Sequence, residues 1–146
     1  MALSASDYEI STDPDRLDID WIHDRLSTDP YWAPGRPRER VAQAVQHSRC
    51  YGVYAPDGPQ VGFARLITDY TVIAWLGDVY LERRVRGIGL AKLLMDQIMA
   101  DTRQWRLRRV VLSTADAAEL YRKYGFADMN EEDDDDWLQI VWPENP

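Results

Sequence analysis

The chain has 146 residues, 45% of them hydrophobic and 29% charged, the proportions of a soluble globular protein. A single cysteine, Cys50, excludes a disulfide framework, and with two histidines there is no Cys/His set of zinc spacing. The net charge is −8, but Asp128 and Glu131–Asp136 supply 7 of the 25 acids, leaving 18 against 17 bases, so no basic field for nucleic acid is expected. The opening MALSASDYEIS lacks a basic stretch followed by an apolar one. No apolar run approaches the ~20 residues of a membrane span. One domain over residues 1–146, in the cytoplasm and away from membranes, is therefore expected.

In chain order, Tyr8–Ser11 reads as a short strand. Leu17, Ile19, Trp21, Ile22 and Leu26 predict a helix from about Asp18 to Leu26, capped near Asp15 or Asp18. Asp29-Pro-Tyr-Trp-Ala-Pro-Gly-Arg-Pro, with three prolines and a glycine, must be a loop. A second helix starts at Pro37, a residue favoured at a first helical position, and runs to about His47. Cys50–Ala55, Gln60–Thr68 and Thr71–Leu81 read as an antiparallel meander with turns at Pro56-Asp57-Gly58-Pro59 and Asp69-Tyr70. Gly87–Thr102 is helical, with Leu90, Leu94 and Ile98 on one face. Arg109–Ser113 is a strand of buried type. Asp116–Tyr124 is a short helix closed by Gly125. Phe126–Ala127 and Trp137–Trp142 are the last predicted strands, separated by the acidic run. The order β-α-α-β-β-β-α-β-α-β-β describes an α+β protein with a mixed, mostly antiparallel central sheet flanked by helices. The run Glu131–Asp136 reads as a solvated loop, or as an acidic lip that attracts a cationic amine.

The stretch Val79–Leu94 carries the chemistry. A strand runs into a turn with two glycines, and a helix starts there. The first amides of a helix have no internal partners, and the dipole adds roughly half a positive charge, so the end is an anion site. Gly87 and Gly89 let the backbone approach a phosphate closely, with Arg86 and Lys92 nearby. Neither a Walker loop nor a dinucleotide-binding Gly-x-Gly-x-x-Gly is present.

Arg86-Gly-Ile-Gly-Leu-Ala91 resembles the Arg/Gln-x-x-Gly-x-Gly/Ala motif of the GNAT superfamily of N-acetyltransferases. Arg84-Val-Arg-Gly-Ile-Gly89 fits the same pattern two residues earlier; the later register leaves Lys92-Leu-Leu where the family's helix continues. Leu112–Phe126 is similar to the family's second element, a strand and helix ending in Leu-Tyr-x-x-x-Gly-Phe. Thr114 stands where the family often has Asn. Tyr31-Trp-Ala-Pro-Gly-Arg36 and Thr114-Ala-Asp-Ala117 resemble an uncharacterised bacterial subgroup carrying Tyr-Trp-Ala-x-Gly-Arg and Thr-x-Asp-Ala.

The resemblance covers most of the chain. It implies the GNAT fold, acetyl-CoA (coenzyme A) as cofactor, a small-molecule or peptide amine as acceptor, and a homodimer, common in the family. It places backbone at Val79, Tyr80 and Leu81 on the pantetheine arm, and Arg86, Gly87, Ile88, Gly89, Leu90 and Ala91 on the pyrophosphate. Thr114 and Tyr121 complete the cofactor side, and Tyr121 holds the family's usual general-acid position. A tyrosine of pKa near ~10 can donate to a departing thiolate. The oxyanion would meet a backbone amide near Leu81. Tyr121 could instead be a core residue, with Tyr124 as the alternative hydroxyl. Asp78, a charge in an apolar strand, could contact the amine, take its proton, pair with an Arg, or sit where water reaches it. A strand bulge, usual in the family, would reset the parity there. Tyr31, Trp32 and Arg36 would line the acceptor cleft, although Trp32 serves equally as a core plug. His23, His47 and Cys50 read as packing or surface residues. Two rival readings stand beside the enzyme: a module that binds or senses acyl-CoA without turnover, and an interaction protein using the acidic loop.

Overall fold

The computed structural model describes residues 2–28, 35–129 and 135–145. The chain divides into two compact units, Met1–Leu112 and Ser113–Pro146.

The first unit is built on a five-stranded sheet in the order β1 (Glu9–Ser11), β2 (Arg49–Tyr54), β3 (Gln60–Thr68), β4 (Ile73–Leu81), β5 (Arg109–Val111). Neighbours β1 to β4 pair antiparallel, as the short turns between β2, β3 and β4 require, and β5 joins β4 in parallel. The parallel crossover is made by helix α3 (Leu90–Gln104). The Asp69 carboxylate accepts the amides of Thr71, Val72 and Ile73 and so closes the β3–β4 turn.

Two helices precede the meander. Helix α1 (Ile19–Thr28) starts at Asp18, whose Oδ1 accepts the Trp21 amide at 3.0 Å. Helix α2 (Arg38–Gln46) has Pro37 in the cap position, one residue ahead of the expected place. Ile22, Leu26, Val41 and Val45 from these helices pack with Cys50, Phe63 and Tyr80 of the sheet. Each such buried side chain contributes ~1.5–3 kcal/mol of transfer free energy. Successive strand residues face opposite ways. Tyr51, next to Cys50, accordingly points to the other face and donates its hydroxyl to Asp101 of α3 at 2.7 Å. Helix α3 buries Leu90, Leu94, Met95 and Ile98, the face its spacing predicts.

Strand β4 is irregular in two respects. Its pairing with β5 ends at Trp75↔Val111, so residues 76–81 run on past the last ladder partner on that side. Its pairing with β3 slips between Phe63↔Tyr80 and Arg65↔Gly77, which sets Asp78 and Val79 against Ala64 alone. This bulge puts Asp78 at φ 54°, a left-handed conformation that Asp tolerates better than most residues.

The second unit holds helix α4 (Ala118–Arg122). The Ala117 amide donates to Thr114 Oγ1 at 3.0 Å, ordering the turn before it, and Gly125 at φ 97° ends it. Phe126–Ala127 and Trp137–Trp142 form no strand among the described residues, contrary to expectation. A strand needs a ladder partner, and β-propensity alone does not supply one. Leu138 and Ile140, rich in that propensity, are 91% and 76% exposed. Asp135 and Asp136 of the acidic run are exposed, and residues 131–134 lie outside the described residues.

Candidate active site

The Glu82 amide donates to the Val61 carbonyl at 2.9 Å. In an antiparallel ladder every second residue bonds to the neighbour, so Tyr80 and Glu82 face β3 while Leu81 turns its N–H and C=O away from it. Beyond Trp75↔Val111 β4 has no ladder partner on that side among the described residues. One polar group there is held: Arg86 Nε donates to the Leu81 carbonyl at 2.8 Å, and its guanidinium lies 5.5 Å from the Tyr80 ring centroid. The Leu81 amide, the group expected to meet the oxyanion, lies on this side of β4.

After β4, a short turn (Arg83–Val85) leads to Arg86–Gly89, all exposed, and then to Leu90, the first residue of α3. Gly87 and Gly89 have φ of 83° and 89°, which side chains rarely adopt. A Cβ at either would meet nothing within 4 Å. The glycines therefore serve the backbone path and leave open space beside it. The Leu93 amide donates to Gly89 O, the first turn of the helix, so the amides of Leu90 and Ala91 have no intrahelical acceptor. Ile88 is 37% exposed at the rim of this turn.

Sequence reasoning missed what holds this turn. Glu82, only 9% exposed, accepts the Trp21 indole N–H at 2.8 Å and Arg84 Nε at 2.7 Å, and pairs with Arg25 at 3.3 Å. Burial lifts its carboxyl, but the Trp21 and Arg84 hydrogen bonds outweigh it, and the pKa lies below its ordinary value. Helix α1 is thus tied to the end of β4. Trp21 is 61 residues away in sequence, so no local signal marks the link.

Asp78 does pair with arginine. Its Oδ2 accepts Arg65 Nε at 2.8 Å and lies 3.6 Å from Arg36 Nη1. Arg65 also donates to Ser48 Oγ at 3.1 Å, and the Arg36 carbonyl is held by His23 Nε2 at 3.0 Å. Arg65 was not expected here, although a lone charge inside the strand Gln60–Thr68 was its visible mark. Tyr31 and Trp32, the other expected cleft residues, lie outside the described residues. Cys50 is buried; desolvation, with Asp78 nearby, pushes its thiol up to about 12, so it is no nucleophile.

In the second unit Tyr121 sits on α4 with its ring edge-on to Phe126, centroids 5.9 Å apart. Burial, with a smaller contribution from Asp116, raises its phenol above the ordinary value, so it stays protonated. No group of three or more His, Cys, Asp or Glu suited to a metal ion occurs among the described residues. No helix among them is long and apolar enough to cross a membrane.

In a mixed, open sheet, a strand that runs past its last ladder partner thus leads into a left-handed glycine turn and a helix start. The family model for GNAT acetyltransferases matches residues 13–126, and the chain belongs to that family. An inferred acetyltransferase of Gibberella zeae is 32% identical over 160 residues, covering 96% of this chain and 90% of that protein. The crystal structure of an inferred GNAT-family acetyltransferase from Xanthomonas campestris pv. campestris is 42% identical, covers 93% and 94% of the two chains, and superposes with a TM-score of 0.85. An inferred acetyltransferase of Clostridium acetobutylicum, solved with acetyl-CoA, shares the fold at 17% identity and TM-score 0.69, over 94% of this chain and 97% of that one. The protein is an acetyltransferase with the GNAT fold, and acetyl-CoA is its cofactor.

Proposed function

We propose that the chain transfers the acetyl group of acetyl-CoA directly to a primary amine, with Tyr121 as general acid. The observation that carries this reading is the open edge of β4 at Leu81 continuing into the Gly87–Gly89 turn at the head of α3. Acetyl-CoA supplies an activated acyl group and a thiolate leaving group. The backbone of Val79 and Leu81 holds the pantetheine arm by strand-like hydrogen bonds, while Tyr80, also expected there, turns its backbone to β3. Amides of Gly87–Ala91, with Arg86 beside them, hold the pyrophosphate. The Leu81 N–H meets the negative charge that develops on the acyl oxygen. Tyr121, its phenol held protonated, donates to the thiolate. The Thr114 hydroxyl, which already accepts the Ala117 amide, keeps its proton for the cofactor side.

On the acceptor side, Asp78 acts as a positioning residue. Its Oδ2 is shared by two guanidinium groups, so water, rather than this carboxylate, takes the amine proton. Arg36 lines the acceptor cleft. The acceptor is a small molecule or a peptide, in the cytoplasm, and the working form is a homodimer.

Free-thiol release in the presence of a panel of primary amines tests the reading, with mass spectrometry of the products. Thiol release should depend on the amine and match the acetylated amine one for one. Tight acetyl-CoA binding with no turnover on any amine would favour the non-catalytic acyl-CoA-binding module.

A further inference from the structure

Among the described residues, the cluster at the β4 bulge sets two guanidinium groups against one carboxylate. Arg36 and Arg65 bring two guanidinium groups, five N–H donors each. Among the described residues their contacts are one carboxylate oxygen, Asp78 Oδ2, and the Ser48 hydroxyl. The Asp78 side chain is 7% exposed and that of Arg65 is 14% exposed, so this excess charge sits in a sheltered place. Arg36 is the outlying member, 22% exposed, with the looser contact of 3.6 Å. A sheltered surplus cation is costly unless something answers it.

The backbone points the same way. Asp78 is a non-glycine residue at φ 54°, and strained residues of this kind cluster where a ligand is held. The strain falls one residue before the strand segment proposed for the pantetheine arm. The surface beside the cluster is apolar. Arg65 pairs with Gly77 and Ile67 with Trp75, so Arg65, Ile67, Ile73 and Trp75 share one face of the sheet. Ile67, Ile73 and Trp75 are 48%, 38% and 42% exposed, an apolar strip one strand repeat from the guanidinium groups. That spacing, about 7 Å, is the size of an amino acid.

We infer that the acceptor amine carries a carboxylate, bound by Arg36 and Arg65, and an apolar side chain that lies on the Ile67–Trp75 strip. The substrate class is thus an amino acid with an apolar side chain. Guanidinium matches carboxylate through paired, charge-assisted hydrogen bonds, which lysine or a helix end would not do as selectively. This inference rests on the amine-acetylation reading above and narrows it.

The test uses matched pairs: apolar amino acids against their amides, which keep the amine and side chain and lose only the acid. The acid should be favoured in kcat/KM by about tenfold or more, the ratio one charge-assisted hydrogen bond supports. Arg36→Gln should bring that ratio close to one, and Arg36→Lys should keep part of it. A purely structural role for Arg36 would lower both members of a pair together and leave the ratio unchanged. Calorimetry with N-acetylphenylalanine and its amide, on protein loaded with coenzyme A, separates this inference from the reading beneath it. Transfer to acids and amides at equal rates would overturn the carboxylate site and leave acetyl transfer standing. Acid-selective binding that needs Arg36, without turnover, would keep the site and overturn transfer. Neither transfer nor selective binding would overturn both.

Discussion

Gly89→Glu should lower coenzyme A affinity at least about 100-fold while the protein stays folded. Gly89 caps α3 at φ 89°, so any side chain there costs ~1–2 kcal/mol of left-handed strain. Nothing in the protein lies within 4 Å of the new Cβ, so no packing is lost. A carboxylate at a helix N-terminus even favours the helix dipole. The damage is therefore confined to whatever anion binds in that open space. Two like charges about 4 Å apart repel by ~4 kcal/mol near a protein surface, nearly a thousandfold in affinity. Titration calorimetry with coenzyme A, beside a thermal melt, reads both sides. Gly89→Ala separates strain from charge and should lose far less affinity. Unchanged affinity in Gly89→Glu would remove the pyrophosphate from this turn.

Tyr121→Phe should lower kcat by roughly 10²-fold or more, the usual contribution of a general acid, and leave acetyl-CoA binding close to that of the wild type. The substitution deletes one hydroxyl and keeps the edge-on contact with Phe126. The phenol pKa is raised, first by burial and then by Asp116, so the acid form persists above the ordinary tyrosine range of ~10. An alkaline loss of kcat in the wild type should thus begin above that range, and it should be absent from the Phe variant. Stopped-flow thiol release across alkaline pH measures both. A wild-type rate in the variant would exclude Tyr121 and turn attention to Tyr124.

The parts of the fold that local chemistry dictates were legible in the sequence. Gln60–Thr68 is a strand with the predicted bounds, Asp18 caps α1, and Leu90, Leu94 and Ile98 form the buried stripe of α3. Periodicity, caps and turn residues are properties of neighbouring positions, so they can be read in one dimension. The glycine turn was legible for the same reason, because both glycines adopt the conformation that their residue type allows. What joins distant segments was not. The bulge at Asp78 arises from a slip between β3 and β4; the resemblance anticipated it, but nothing at Asp78 itself announces it. Glu82 reads as one more charge in a basic stretch until Trp21 is folded onto it. Trp137–Trp142 shows the converse, since its composition suggests a strand but a strand exists only with its partner. The resemblance carried the functional reading further than the residues alone, which supported only an anion site at a helix start.

The central claim is that β4 from Val79 and the turn through Ala91 form the acetyl-CoA site. Backbone amide chemical shifts followed by NMR during titration with coenzyme A test it most directly. The largest changes in the first unit should fall on Val79, Leu81 and Gly87–Ala91, saturating together. Saturable shifts elsewhere, with these amides unmoved, would contradict it.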